Sequence, residues 1–137
     1  MRYMKKSENK YGNKKVEFQG LSFDSKKELQ RYMVLLDAQR QGKISNLERQ
    51  VRFELIPAIT EDYIEHLKTK DKVKTRTVQL DITYTCDFTY MKDGRLIIED
   101  VKASKAMLTK EYQLKKKLLF AIHGLTIREV YKATEPV

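Results

Sequence analysis

The chain is expected to fold as a mixed α/β domain, a central sheet flanked by helices, in the rough order ββ-α-β-ββ-α-β. Three observations predict this. Two stretches, after Asp24 and after Leu108, space apolar residues as helices do. Other stretches alternate polar and apolar residues, or run apolar, as strands do. Asp93-Gly94 separates two of these strands, and Asp-Gly is the strongest short-range signal for a two-residue hairpin turn.

Residues 1–13 are basic and polar and are expected to form a mobile arm, which leaves 14–137 as a single domain. Lys14 to Phe18, then Gln19-Gly20, then Leu21 to Phe23 reads as a small hairpin. Asp24-Ser25 opens the first helix, where Ser25 and Glu28 have capping-box spacing. Leu29, Tyr32, Met33 and Leu36 form its apolar stripe, and Gly42 ends it near Gln41. Asn46 to Ile56 reads as a strand stopped by Pro57. Residues 58–76 read either as a basic loop or as a solvated edge strand, because Lys68, Lys70, Lys72, Lys74 and Arg76 fall on alternate positions. Val78 to Tyr90 and Arg95 to Lys102 form the central hairpin. A linker, Ala103 to Ala106, precedes a helix over Leu108 to Ile122 with Leu114, Leu118 and Ile122 on one face. Gly124 stops that helix, Leu125 to Val130 closes the sheet, and the last residues are expected to fray.

The 137 residues suit one domain, and a hydrophobic content of 41% is enough for a core. Lys and Arg number 28 against 19 Asp and Glu, a net charge of +9 that attracts polyanions, nucleic acid first and a membrane surface second. No apolar run reaches membrane-spanning length, and the N-terminus lacks the apolar core of a signal peptide. One cysteine, Cys86, excludes an intrachain disulfide and reads as a small core residue in a reducing compartment. With two histidines, His66 and His123, far apart, no known zinc spacing can be assembled.

The Asp93-Gly94 turn carries the chemical prediction. With Lys92 facing Arg95, stepping outward brings Asp87 opposite Asp100, with Lys102 two residues on along the same face. Facing carboxylates repel each other, and a divalent cation reverses the sign of that cost. Mg²⁺ (or Mn²⁺), bound by one or two carboxylates and a substrate phosphate, is the hard choice, with a backbone carbonyl near Val101 as a further ligand. Asp100 and Lys102 end an otherwise apolar strand, where buried charges need a purpose. The bland alternative is a surface hairpin with scattered charges.

A helix bearing Glu28, a hairpin bearing Asp87, then Asp100-Val101-Lys102, a helix and a strand resembles the PD-(D/E)XK nuclease superfamily, the restriction-endonuclease-like fold. The run from Lys10-Tyr11-Gly12-Asn13-Lys14 through Phe23 to Glu28 and on to Glu99-Asp100-Val101-Lys102 is similar to a small phage and prophage family described as nucleases or Holliday-junction resolvases. The resemblance covers about residues 10 to 130. It implies metal binding by Asp87, Asp100 and Glu28, and Lys102 as the motif lysine; Cys86 stands where many members have Pro. Glu28 has a structural explanation too, as the capping partner of Ser25, in which case its carboxylate would point away from a metal. Glu99, in a shifted alignment, Glu17 and Asp81 are lesser alternatives.

The residues and the resemblance together imply a Mg²⁺-dependent endodeoxyribonuclease working in the cytoplasm of a bacterial host cell, and the resemblance implies a preference for branched or junction DNA. Junction cutting is symmetric and implies a homodimer. Lys105, Lys110, Lys115, Lys116 and Lys117 follow the Asp-x-Lys strand and, with Lys14 and Lys15, are expected to contact phosphates. Tyr11 and Tyr112 are expected to pack rather than stack on bases. The rival readings are a non-catalytic DNA-binding protein that keeps the fold and an RNA-directed protein.

Overall fold

A computed structural model describes residues 14–137. The expected arm, 1–13, with Lys10 and Tyr11, lies outside the described residues. The elements are β1 (Val16–Phe18), β2 (Leu21–Phe23), α1 (Lys26–Arg40), β3 (Ser45–Ile56), β4 (Ile59–His66), β5 (Asp71–Gln79), β6 (Ile82–Lys92), β7 (Arg95–Val101), a 3₁₀ turn (Lys105–Met107), α2 (Lys110–His123) and β8 (Ile127–Val130). The fold is mixed α/β, as the residue pattern predicts. The main sheet runs β3-β6-β7-β8; its first two pairings are antiparallel, and β8 joins β7 in parallel. That parallel step requires a crossover, and α2 supplies it.

The helices cover opposite faces of this sheet. Ile97 and Ile98, neighbours on β7, belong to different apolar clusters, one with Leu35 and Ala38 of α1, the other with Leu119 of α2. Cys86 and Phe88 of β6 also lie in different clusters, although strict alternation would put them on one face. The alternation therefore slips at Asp87. Across the ladder, Arg49 pairs Phe88 and Val51 pairs Cys86, while Gln50 between them adopts φ 51°. Cys86 is nonetheless the buried core residue expected, and burial pushes its thiol up to about 12, far from thiolate chemistry.

Several expectations are corrected. In α1 the buried line is Glu28, Arg31, Leu35 and Ala38, while Met33 of the predicted stripe is exposed. Charged residues take inward positions because they find partners there. Arg31 donates to both Glu99 oxygens, at 2.7 and 2.9 Å, with both side chains fully buried. In α2, Tyr112 and Leu119 are buried, and Leu114 and Ile122 are exposed. Val78 and Gln79 belong to β5, not to the central hairpin, because the chain breaks at Leu80-Asp81 before β6 begins. Residues 58–76 are neither a loop nor a single edge strand: β4 and β5 pair as a separate two-stranded hairpin. The end of the chain is not frayed. Arg31 donates to the carbonyls of Ala133 and Glu135, Arg128 to that of Pro136, and Val137 packs beside Phe88 and Tyr90.

Candidate active site

Asp93 and Gly94 both adopt positive φ, 51° and 74°, the conformation a type I′ hairpin turn requires. The predicted register follows, from Lys92 opposite Arg95 to Phe88 opposite Glu99. The next couple is Asp87 and Asp100, and there the regular ladder stops. Their carboxylates take over as partners. Asp87 Oδ2 accepts from the Val101 amide at 2.8 Å, and the Asp87 amide donates to Asp100 Oδ1 at 3.2 Å. Each acid thus bonds the other strand's backbone, and the two carboxyl groups are held beside each other.

Asp100 is nearly buried. Its Oδ2 accepts from the Tyr84 hydroxyl at 2.5 Å and lies 3.2 Å from Lys102 Nζ. The same ammonium sits 3.6 Å from the centre of the Tyr112 ring. Tyr112 is itself fixed, because its hydroxyl donates to Glu129 Oε2 at 2.7 Å. Lys102 is therefore clamped between a carboxylate and an aromatic face.

Glu28 arrives from the first turn of α1. Ser25 caps that helix by accepting from the Glu28 amide at 3.1 Å. The carboxylate does not return to Ser25. Its Oε2 accepts from the Asp24 amide at 3.2 Å and its Oε1 from Gln50 Nε2 at 3.1 Å. A helix-start position and a place in the cavity are thus compatible in one residue, because the carboxylate is not bonded back to the Ser25 amide. Glu28, Asp87, Asp100, Val101 and Lys102 line one cavity of about 560 Å³, with Thr83, Thr85 and Lys115 on its rim.

The electrostatics set this cavity apart. Burial, then Asp100, then Glu28 hold the Asp87 carboxyl well above the usual carboxylate range. Burial, then Asp24, raises Glu28. Asp24, Glu28, Asp87, Asp100 and Glu111 line the cavity against Lys102 and Lys115, and carboxyl oxygens in excess of cations are what a hard divalent ion binds. The donor set fits such an ion, although its oxygens now rest on protein amides and hydroxyls. Among the described residues no three His, Cys, Asp or Glu side chains stand as a ready-made metal cage.

The other named residues divide. Glu99 lies on the α1 face, bonded by Arg31 and Tyr90, which removes it as a rival acid. Asp81 pairs with Arg52 on the surface, and Glu17 is exposed on the small β1 strand. Lys115 lines the cavity, 3.0 Å from Glu111. Lys116 does not: it is tied to Glu129 at 3.2 Å and lines, with Lys117, a separate apolar groove beside Phe120. The α2 lysines therefore do not form one surface, because successive helix positions point about 100° apart. Lys105 and Lys110 are exposed, as are Lys14 and Lys15, which precede β1 and line none of these cavities. Tyr112 packs, as expected. Tyr84 and Gln50 were missed, since only the slip at Asp87 brings them to the acids, and alternation alone conceals it. No described helix is long and apolar enough to cross a membrane.

No curated protein and no solved structure matches the chain. One family model does, over residues 8–134. The chain therefore belongs to the family described as "Protein of unknown function (DUF1064)".

Proposed function

We propose that this chain is a divalent-metal-dependent endodeoxyribonuclease with a restriction-endonuclease-like core, using Mg²⁺ or Mn²⁺ and preferring branched or junction DNA. One observation carries the reading: Asp87, Asp100, Glu28 and Lys102, drawn from three elements, line a single cavity. A structural role alone does not account for Glu28, Asp87 and Asp100, all drawn out of solvent, sharing one cavity with Lys102 paired to Asp100.

Asp87 and Asp100 would hold the ion, with Glu28 beside them. When bound, such an ion polarises a phosphate and lowers the pKa of a coordinated water. Lys102 places positive charge where charge accumulates on the phosphate in the transition state. Its clamp between Asp100 and Tyr112 fixes that position in advance, so little reorganisation accompanies reaction. Thr83, Thr85 and Lys115 on the rim supply hydroxyl and ammonium donors for the flanking phosphates.

The test incubates the protein with supercoiled plasmid, linear duplex and a four-way junction, with Mg²⁺ or with chelator. Cutting is expected only with the metal, and most strongly on the junction. Asp100→Asn and Lys102→Ala should each lower the rate by about 10²–10³-fold or more while retaining binding. Undiminished cutting by Asp100→Asn would move the site elsewhere. Binding without cutting by the wild type would replace this reading with a non-catalytic DNA-binding protein.

A further inference from the structure

β8 is the outer strand of the main sheet: β7 lies on one side of it, and no described strand lies on the other. Its residues, Ile127–Val130, turn their backbone groups to alternate sides. The Val130 carbonyl accepts from the Lys102 amide at 2.8 Å, so Val130 and Arg128 face β7. The amides and carbonyls of Ile127 and Glu129 therefore point to the open side, where they form a template for another strand. Just past them the template closes, because the Tyr131 and Lys132 amides both donate to Glu135 Oε2, at 2.6 and 2.9 Å.

An apolar groove of about 550 Å³ leads onto this edge. Leu125 and Thr126, which enter β8, form one wall, and Leu108, Lys116, Lys117 and Phe120 stand around the rest. Phe120 is 60% exposed and is the one exposed phenylalanine among the described residues. The charge left over beside the groove is positive. Glu129 is taken up by Tyr112, Lys116 and Tyr131. Lys117 on the rim and Lys132 at the end of the strand are exposed, and neither has an ion pair among the described residues.

We infer that the β8 edge and its groove bind an extended acidic segment of another protein. The segment's backbone pairs with Ile127 and Glu129, one of its apolar side chains enters the groove against Phe120, and its carboxylates reach Lys117 and Lys132. Main-chain pairing of this kind supplies affinity, and the pocket beside the edge supplies specificity. Nucleic acid offers no ladder of amide donors and carbonyl acceptors, so it leaves Ile127 and Glu129 unmatched. A second copy of the chain brings the same surplus positive charge to the contact, and like charges across an interface oppose it. Residues 1–13 fail on the same ground, with four Lys and Arg against one Glu.

Fluorescence anisotropy of the full chain, without DNA, tests this. The probe is a short labelled peptide of alternating aspartate and isoleucine with a central phenylalanine. It should bind saturably, and about tenfold or more tighter than the same peptide with lysine in place of aspartate. Methylating one alternate set of its backbone amides should abolish binding, and methylating the other set should spare it. Phe120→Ser and Lys117→Glu should each weaken binding by about tenfold or more with an unchanged far-ultraviolet spectrum, whereas Ile64→Ser, exposed on β4, should not. No saturable binding by the wild type overturns the proposal. So does equal affinity for the lysine peptide, undiminished binding of both methylated peptides, or indifference to Phe120→Ser and Lys117→Glu. If Phe120→Ser instead weakens duplex binding or dissociates a wild-type dimer, and no peptide binds, the groove serves nucleic acid or a second copy and the proposal fails. Cleavage is not measured, so failure of the nuclease reading leaves this inference standing, and the reverse holds too.

Discussion

At Asp87 stability and the proposed chemistry oppose each other. Burial and the neighbouring acids Asp100 and Glu28 push this carboxyl up from 3.8 to about 9. The folded chain therefore keeps a proton that the unfolded chain releases. That contribution is complete below about pH 4 and is lost as pH rises through about 9. Asp87→Asn keeps an acceptor for the Val101 amide and removes the group that must take up a proton on folding. It should raise the thermal midpoint near pH 7 to 8 by several degrees, on the order of 1–2 kcal/mol, and give a smaller gain near pH 4. Metal-dependent cutting should be lost in the same variant. A midpoint that falls at pH 8 would mean that the acid is not strained by its neighbours. Glu28 shows how far a sequence reveals such a residue. The Ser25-to-Glu28 spacing locates the helix start correctly, and the Asp24 amide that holds one carboxylate oxygen is local too, but Gln50, which holds the other, is a tertiary contact no local pattern encodes.

At the scale of elements, local signals were legible and long-range ones were not. Asp93-Gly94, Gly124 and Ser25 each carry a backbone or capping requirement in one or two residues, and each ends or starts an element where expected. The inward face of α1 departs from its apolar spacing because that spacing assumes that charged residues face water, whereas in α2 the buried line simply turns from Leu114 and Ile122 to Tyr112 and Leu119, with Leu118 still against the core. Arg31 breaks that assumption through its two bonds to Glu99 on β7 and its bonds to the carbonyls of Ala133 and Glu135. One side chain thus ties α1, the central hairpin and the last residues of the chain together. Arg31→Met should cost about 3–5 kcal/mol in urea denaturation, because Glu99 is left buried without its main partner. Adding Glu99→Gln should return part of that loss, which a purely steric role for Arg31 would not allow. The β4–β5 hairpin is illegible for a different reason. Its alternating lysines fit a basic loop or an edge strand, and only the cross-strand acids of β4 reveal that they pair within a hairpin.

For the whole molecule, what matters is where the net charge of +9 resides, since the β4–β5 hairpin, residues 59–79 with five Lys and Arg against four Asp and Glu, contributes only +1. Under the nuclease reading the cavity is locally acidic, and its lining lysines, Lys102 and Lys115, are paired with Asp100 and Glu111, so phosphate affinity must come from cations around it. Lys105 and Lys110 border the cavity in sequence, on the segment between β7 and α2, and both are exposed without an ion pair among the described residues. Lys102 and Lys116 are already paired, with Asp100 and Glu129. A cation that neutralises a phosphate releases counterions, and each such contact steepens the logarithmic salt dependence of binding by about 0.9. Duplex binding in chelator, followed by fluorescence anisotropy between about 50 and 200 mM salt, should therefore weaken steeply. Lys105→Ala and Lys110→Ala should each flatten that slope by close to one, whereas Lys116→Ala should leave it unchanged. The reverse result, with Lys116 governing the slope, would place the duplex on the apolar groove beside Phe120 and away from the carboxylates. The charged surface and the acidic cavity would then serve different partners, and the case for joining them in one nuclease site would fail.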